Sequence, residues 1–417
     1  MGNDKEKLAF VVVRYGNDIN GGAEYHCKML AERLVDDYDV EVLTTCVKNY
    51  MTGTNESPEG EEIINKVLVR KFPANPIHKE QYKQFMKEAA PAKRWRRFLY
   101  KCRLLTLISS IFPIWNYKRE AEINAQNSQV FYSSKLFSFI KGNKDNYKAI
   151  IAINLDFPPA YYTALYASEK TIIIPTMHYH GVVFRSILTS VFTKVAYIGF
   201  NTTAEQKLGR NIFGRKIAPN GIISVGIEKP KAAEWNETLN KYHLPEEYLL
   251  YAGRVDDGKL NCVIDYFLAY KKKYKKSALK FVLMGEIFDK TVSRPDVQYT
   301  GFVSDSEKMA IIQHSKIVVN PSKYESLSLI LLEAMSQCRP LLVNGHCSVL
   351  KEHCQKSDYA ALYYMSKHDF LSKLYQLDTL NDQRVRMGEK GCKYVEENYD
   401  WSVIMGRLKR VIENIKS

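Results

Sequence analysis

The chain has no uninterrupted apolar run of about 18 residues, so no membrane-spanning helix is expected. The longest candidate, Leu104 to Trp115, is short and broken by Pro113. The opening MGNDKEKLAFVVV lacks the cationic start and small-residue cleavage site of a secretory signal. It also lacks the Ser or Thr at position 6 that myristoylation of Gly2 would want, because Glu6 stands there. A cytoplasmic protein is expected. No CxxC spacing occurs among the cysteines at 27, 46, 102, 262, 338, 347, 354 and 392. Buried free thiols are therefore expected rather than disulfides or zinc ligands. His346-Cys347 and His353-Cys354 gather soft ligands in one stretch, but without the short paired spacing of structural zinc, and no metal is expected. Zinc fingers, RNP-like motifs and basic coiled coils are missing too, which argues against a nucleic-acid partner.

What is present is a globular composition, 46% hydrophobic and 25% charged, in 417 residues, enough for two or three domains. The net charge of +14 points to an anionic partner. Much of it lies between 83 and 119, where Lys83, Lys87, Lys93, Arg94, Arg96, Arg97, Lys101, Arg103, Lys118 and Arg119 are opposed only by Glu88. Trp95, Phe98, Tyr100, Leu104, Leu105, Leu107, Ile108, Ile111, Phe112 and Trp115 are interleaved with them. That mixture suits an anionic membrane interface. It equally suits a basic helical arm whose apolar stripe lies in the core.

Strand-like and helix-like segments alternate along the chain, the pattern of parallel sheets covered by helices. Strands are expected at 8–13, 39–45, 66–72, 147–153, 170–175 and 194–200, and in a second series at 247–253, 279–285, 297–302, 316–321 and 339–345. Helices are expected at 259–273, 304–314, 327–336, 366–377 and 381–398. The turn-rich stretch from Pro219 to Lys231 marks the join. This divides the chain into an N-terminal Rossmann-like domain over 1–225 and a C-terminal one over 226–398. A last helix over 399–417 is expected to pack back on the first. Ligands of open parallel sheets sit beyond the carboxyl ends of the strands, so chemistry is expected in the loops that follow them. Asp37-Tyr38-Asp39 imitates a metal-binding DxD but leads into the amino end of a strand, the wrong end for a ligand.

The strongest signal is NPSKYESLSLILLEAMSQCRPLLV over 320–343. A strand and loop lead into a helix expected to start near Ser326 or Leu327. Glu325 stands before it and Glu333 inside it. A helix start offers unpaired N–H groups and a positive dipole end to phosphate. The bland reading is one carboxylate at the helix dipole and another on a solvated face. The arrangement resembles the E-x7-E motif of the retaining GT-B glycosyltransferases of glycosyltransferase family 4. YAGRVDDGKLN over 251–261 resembles that family's Gly-Arg and following Lys, filled here by Gly253, Arg254 and Lys259. NGGAEYHCKMLAERL over 20–34 resembles its glycine-rich loop, with Gly21 and Gly22. PTMHYHGVVF over 175–184 resembles the place of its active-site histidine, with His178 the better match and His180 the competitor. The chain departs from the family pattern at Ser328 and Leu260, where glycine is common.

The resemblance implies an α/β GT-B fold, two Rossmann-like domains facing a central cleft. It implies a donor site in the C-terminal half and an acceptor site in the N-terminal half. Arg254 and Lys259 would stabilise the departing diphosphate together with Ser326, Leu327, Ser328 and Leu329 at the helix start. Glu325 would orient the donor sugar, Glu333 would hold the ribose, and His178 would contact the sugar. The nucleotide base would lie near Gly301, Phe302 and Val303, with Gly285 and Glu286 lining the same pocket. No cofactor or metal is implied beyond a UDP- or GDP-linked sugar as co-substrate. The expected acceptor is a glycan or lipid-linked glycan, with the enzyme peripheral on the inner membrane face. Competing expectations are another GT-B activity, such as a sugar-nucleotide epimerase or an inverting transferase, and a non-enzymatic binding protein.

Overall fold

The computed structural model describes residues 5–19, 21–289 and 291–416. Gly2 and Asn20, the latter in the glycine-rich loop, lie outside the described residues. The chain forms two compact units, one of 1–225 with 405–417, the other of 226–404.

The first unit is built on eight strands: β1 (Lys7–Val11), β2 (Asp39–Thr45), β3 (Gly60–Ile64), β4 (Val67–Phe72), β5 (Ala149–Ile153), β6 (Thr171–Ile174), β7 (Tyr197–Phe200) and β8 (Asn220–Ile222). They lie in the order β3-β4-β2-β1-β5-β6-β7-β8, and all pairs but β3–β4 are parallel. Central strands are apolar because helices cover both faces of the sheet; every residue of β5, AIIAI, is buried. The edge strand β3, GEEII, escapes the sequence pattern because it is short, solvated and carries two adjacent glutamates. Its Glu61 and Glu62 pair with Arg70 and Lys71 on β4, which suits an edge that must resist further pairing. β8 falls in the stretch read from sequence as a turn-rich join.

The second unit has six strands: β9 (Tyr248–Ala252), β10 (Lys280–Met284), β11 (Val297–Gly301), β12 (Ile317–Asn320), β13 (Leu341–Asn344) and β14 (Ala361–Tyr364). All are parallel, in the order β11-β10-β9-β12-β13-β14, the doubly wound order. The α/β expectation holds for both units. The connections reverse direction between β1 and β5 in the first sheet and between β9 and β12 in the second. Those are the switch points where open sheets leave a crevice at their carboxyl ends.

Two corrections concern covalent and helical detail. Cys338 and Cys392 form a disulfide, against the expectation of free thiols, while the other six cysteines are free. Spacing could not show it, because the partners are 54 residues apart and meet through helix packing. Helix Asn381–Tyr399 comes close because Gly388 and Gly391 carry no side chain; a Cβ on Gly388 would fall 2.2 Å from the Cys338 carbonyl oxygen. The basic arm is the helix Lys79–Lys101 followed by the short helix Leu105–Ile111. Neither simple reading of it is complete. Ala89, Ala92, Arg96, Leu99 and Leu105 are buried, while most of the other apolar residues are exposed. Arg96 is a core residue: its guanidinium lies over the Trp115 ring, and burial lowers its pKa to about 10.

Asp37 and Asp39 stand at the amino end of β2, and Asp37 pairs with Lys409 of the last helix, Trp401–Glu413. The rings of the His/Cys stretch are also accounted for. His346 Nε2 meets the Met365 carbonyl, and His353 is buried between Leu327 and Tyr394.

Candidate donor site in the second unit

Three neighbouring strands end in glycines with positive φ: Gly253 after β9, Gly285 after β10 and Gly301 closing β11. At Gly285 only a hydrogen fits, since a Cβ would lie 2.0 Å from the Gly253 carbonyl oxygen. The Gly253 N–H donates to Met284 and the Val255 N–H to the Glu286 carbonyl, 2.9 Å each. This tight edge sends Arg254 out at the carboxyl end of β9. Its side chain is half exposed, lies over the Phe288 ring and bonds Asp256.

Asp256 also caps the next turn. Its carboxylate accepts the Lys259 N–H at 2.9 Å, fixing the short helix Asp257–Leu260. The helix expected over 259–273 is therefore two: Leu260 is buried in the core, Asn261 takes the left-handed turn, and Val263–Lys273 follows. From that turn Lys259 Nζ reaches Glu325 Oε1 at 3.1 Å. Lys259 follows β9 and Glu325 follows β12, so this ion pair straddles the switch point. The buried Tyr251 hydroxyl donates to the Arg254 carbonyl at 2.7 Å. Burial raises its pKa, Asp256 and Glu325 add to that, and Arg254 opposes, so all three charges surround one phenol.

The loop carrying Glu325 is tied on both flanks. The Pro321 carbonyl accepts from Asn261 Nδ2 at 2.8 Å and from Asn344 Nδ2 at 3.0 Å. His353 Nε2 donates to the Leu327 carbonyl at 2.8 Å while its Nδ1 accepts from the Tyr394 hydroxyl, which fixes the tautomer. The motif helix spans Leu329–Ser336, starting later than expected. The reason is Ser328, whose φ of +76 is left-handed and cannot continue a helix backward. The buried Asn320 amide donates to its Oγ at 2.9 Å. Ser326, Leu327, Ser328 and Leu329 thus line the turn and first helical residue at the positive dipole end.

Glu333 is mostly buried on this otherwise apolar helix. Its carboxylate bonds Lys308 Nζ at 2.9 Å, and Lys308 also meets Asp305 at 3.1 Å. Burial disfavours the Lys308 charge, but Glu333 and Asp305 outweigh it and its pKa is raised. Lys308 was missed in the sequence because its link to Glu333 exists only through the fold. Gly285 and Glu286 lie at the carboxyl end of β10. Phe302 and Val303 lead from β11 into the helix Asp305–His314 through the Ser304/Glu307 capping box, and Phe302 is exposed.

The remaining candidates belong to the first unit. Gly21, with extended backbone, caps the helix Gly22–Leu34; a Cβ there would fall 2.3 Å from the Glu24 carboxylate. Gly22 faces open space, and Gly21 is approached only by the end of the Glu24 side chain. The carboxylate that folds over Gly21 is held by Arg14 after β1, at 2.9 Å from Nε and 2.6 Å from Nη2, a pair that sequence reasoning missed. His178 is half buried in the loop after β6, and His180 is exposed. Glu205 fixes that loop by accepting the Met177 N–H at 2.6 Å and the Asn201 N–H at 2.6 Å. Burial raises the Glu205 pKa to about 8, against the pull of those donors. Asp156, after β5, is likewise raised by burial, and Arg185, His178 and His180 oppose the shift.

Known proteins resemble this chain in part of its sequence and in its fold. Residues 246–377 match the family model described as Glycosyl transferases group 1, the stretch that holds Arg254, Lys259, Glu325 and Glu333. An uncharacterized 41.2 kDa protein in the cps region of Klebsiella pneumoniae is 23% identical over 232 residues, 54% of this chain and 55% of that protein. The chain thus spans about half the length of this curated relative. Solved structures share the whole fold. Sucrose-phosphate synthase from Thermosynechococcus elongatus superposes with a TM-score of 0.66 at 14% identity, covering 98% of both chains. Anabaena HepE in complex with UDP and glucose gives 0.67 at 11% identity, covering 98% of this chain and 100% of that one. Trehalose-6-phosphate synthase from E. coli, bound with UDP-2-fluoro glucose, gives 0.62 at 11%, covering 98% and 99%. The fold is GT-B, and the group 1 domain together with that fold supports a GT-B glycosyltransferase.

Proposed function

We propose that this chain is a retaining, metal-independent hexosyltransferase. It moves a sugar from a UDP- or GDP-linked donor to a glycan or lipid-linked glycan acceptor in cell-surface polysaccharide synthesis. The observation that carries the proposal is the Lys259–Glu325 pair across the β9/β12 switch point, with Arg254 on the turn that leads to Lys259 and Glu333 on the helix that follows the Glu325 loop. Fixed cations beside a helix N-terminus suit a departing diphosphate. The two acidic side chains suit hydroxyls, Glu325 those of the donor sugar and Glu333 those of the ribose. UDP and glucose in HepE, and UDP-2-fluoro glucose in the E. coli enzyme, support a nucleotide sugar as ligand. The cps-region relative supports the polysaccharide role.

In this reading the bond from anomeric carbon to phosphate oxygen breaks, and the acceptor oxygen bonds that carbon on the same face. The acceptor proton passes to the leaving phosphate oxygen. Arg254, Lys259 and the N–H groups around Ser328 hold the negative charge that develops. His178 keeps the role implied by the resemblance, contact with the donor sugar. A thermal-shift screen with UDP- and GDP-sugars tests the proposal. A donor at 100 times its Kd should stabilise the protein by about 2.7 kcal/mol. No shift with any nucleotide sugar would refute a donor site, and an inverted anomeric product would refute retention.

A further inference from the structure

We infer that the corner formed by helices Lys79–Lys101 and Leu105–Ile111 is a docking surface for an anionic lipid bilayer. Six large apolar side chains here, Trp95, Phe98, Leu104, Leu107, Ile111 and Phe112, are each 47–66% exposed. Their concentration within one short stretch is what needs explaining, since scattered exposed apolar residues are ordinary.

Hydrogen bonds and two buried residues seat the corner with these side chains outward. Leu105 and Ser109 face inward and are buried. Thr106 Oγ1 donates to the Asn211 carbonyl at 2.9 Å, Ser109 Oγ to Ile212 at 3.0 Å, and the Arg215 N–H to Ser110 Oγ at 2.9 Å. Gly214, at φ +79, makes this seat possible, because a Cβ there would lie 2.5 Å from the Ser110 nitrogen. The face away from helix Thr203–Phe213 therefore carries Leu107 and Ile111. Trp95 and Phe98 stack at 5.6 Å on the preceding helix.

The charge around this patch selects the partner. Arg94, Arg97, Lys101 and Arg103 are exposed on the same segment, with no acidic residue from Ala89 to Arg119. The fold adds Arg215 and Lys216, distant in sequence, through the bonds that seat the short helix. Apolar and aromatic side chains inside a one-signed cationic rim match the acyl boundary and headgroups of an anionic leaflet. The absence of acidic residues along that segment disfavours pairing with a second copy of this same basic corner, since like charges would face each other. Arg96 is no part of the rim, since its buried guanidinium belongs to the core.

Co-sedimentation of the full chain with phosphatidylcholine vesicles, with and without phosphatidylglycerol, tests this. Binding is expected only to the anionic vesicles, with a blue shift in tryptophan emission that Trp95→Phe removes. Each cation near an anionic surface contributes about fivefold. Arg103→Gln, Arg215→Gln and Lys216→Gln together should weaken binding on the order of a hundredfold. Leu107→Ser, Ile111→Ser and Phe112→Ser should abolish it. Both variants should keep the wild-type melting temperature and nucleotide-sugar response, because none of these residues touches the donor site. Equal binding to neutral vesicles, no binding to anionic ones, or wild-type binding by both variants would overturn the inference. A concentration-dependent dimer dissolved by the apolar variant would overturn it in favour of self-association.

Discussion

Ser328 occupies a backbone conformation that glycine prefers, and its substitution by alanine and glycine separates two effects. Both changes remove the hydroxyl that accepts from Asn320, at 2.9 Å in a buried setting. Leaving that amide donor unpaired costs about 1–3 kcal/mol in either variant. Alanine keeps the cost of a left-handed residue, about 1–2 kcal/mol. Glycine sheds it but has more freedom to lose on folding, about 0.5–1 kcal/mol. Ser328→Gly should therefore be more stable than Ser328→Ala by roughly 1 kcal/mol. In a unit of this size that is a difference of about 2–4 °C in Tm, measurable by calorimetry. If alanine matched or exceeded glycine, the left-handed backbone would not be the constraint at this position, and the account of why the motif helix starts at Leu329 would fail.

Two further substitutions probe the supports of the site. His353 is buried and neutral, its pKa lowered by burial from 6.5 to about 4, although its bond to Leu327 pulls the other way. A depressed folded pKa means the unfolded chain binds the extra proton first. Stability is therefore full above about pH 6.5 and drains as pH falls towards 4, by on the order of 3 kcal/mol. His353→Gln should flatten this acid limb in melts between pH 4 and 7. His26, buried in the first unit with the same direction of shift, leaves a residual slope. An unchanged slope would show that His353 titrates normally. Lys308→Met should destabilise by about 1–3 kcal/mol by leaving the Glu333 carboxylate without its cation. Lys308→Met with Glu333→Leu should recover much of this in a double-mutant cycle, whereas additive losses would deny the coupling.

The alternation of strands and helices made both sheets legible, because buried parallel strands such as AIIAI at 149–153 read as continuous apolar runs. The Glu325/Glu333 motif and the Arg254/Lys259 turn were legible as local patterns following strands. Edge strand β3 was not, since its exposed acidic residues resemble a loop. Neither were Lys308, Asn320 and Arg14, whose partners are fixed only by strand order and helix docking. The Cys338–Cys392 bond hid for the same reason, and two glycines in a later helix were its only trace. Ser328 was marked by the sequence as a departure from a glycine position, and its left-handed backbone supplies the physical reason for that preference. The basic arm resisted a single reading because one face does contribute to the core, with Arg96 and Leu99, while Phe98 and Leu107 face outward.

The central claim is that Arg254 and Lys259 receive a diphosphate beside the motif helix. Titration calorimetry with UDP and GDP on the wild type, Arg254→Ala, Lys259→Ala and Glu325→Gln tests it most directly. Each lost charge-assisted contact is worth about 1.5–3 kcal/mol, so both alanine variants should bind the preferred nucleoside diphosphate roughly tenfold to over a hundredfold more weakly. Glu325→Gln should bind it as well as the wild type while losing discrimination among donor sugars. Wild-type affinity in both alanine variants would contradict the account.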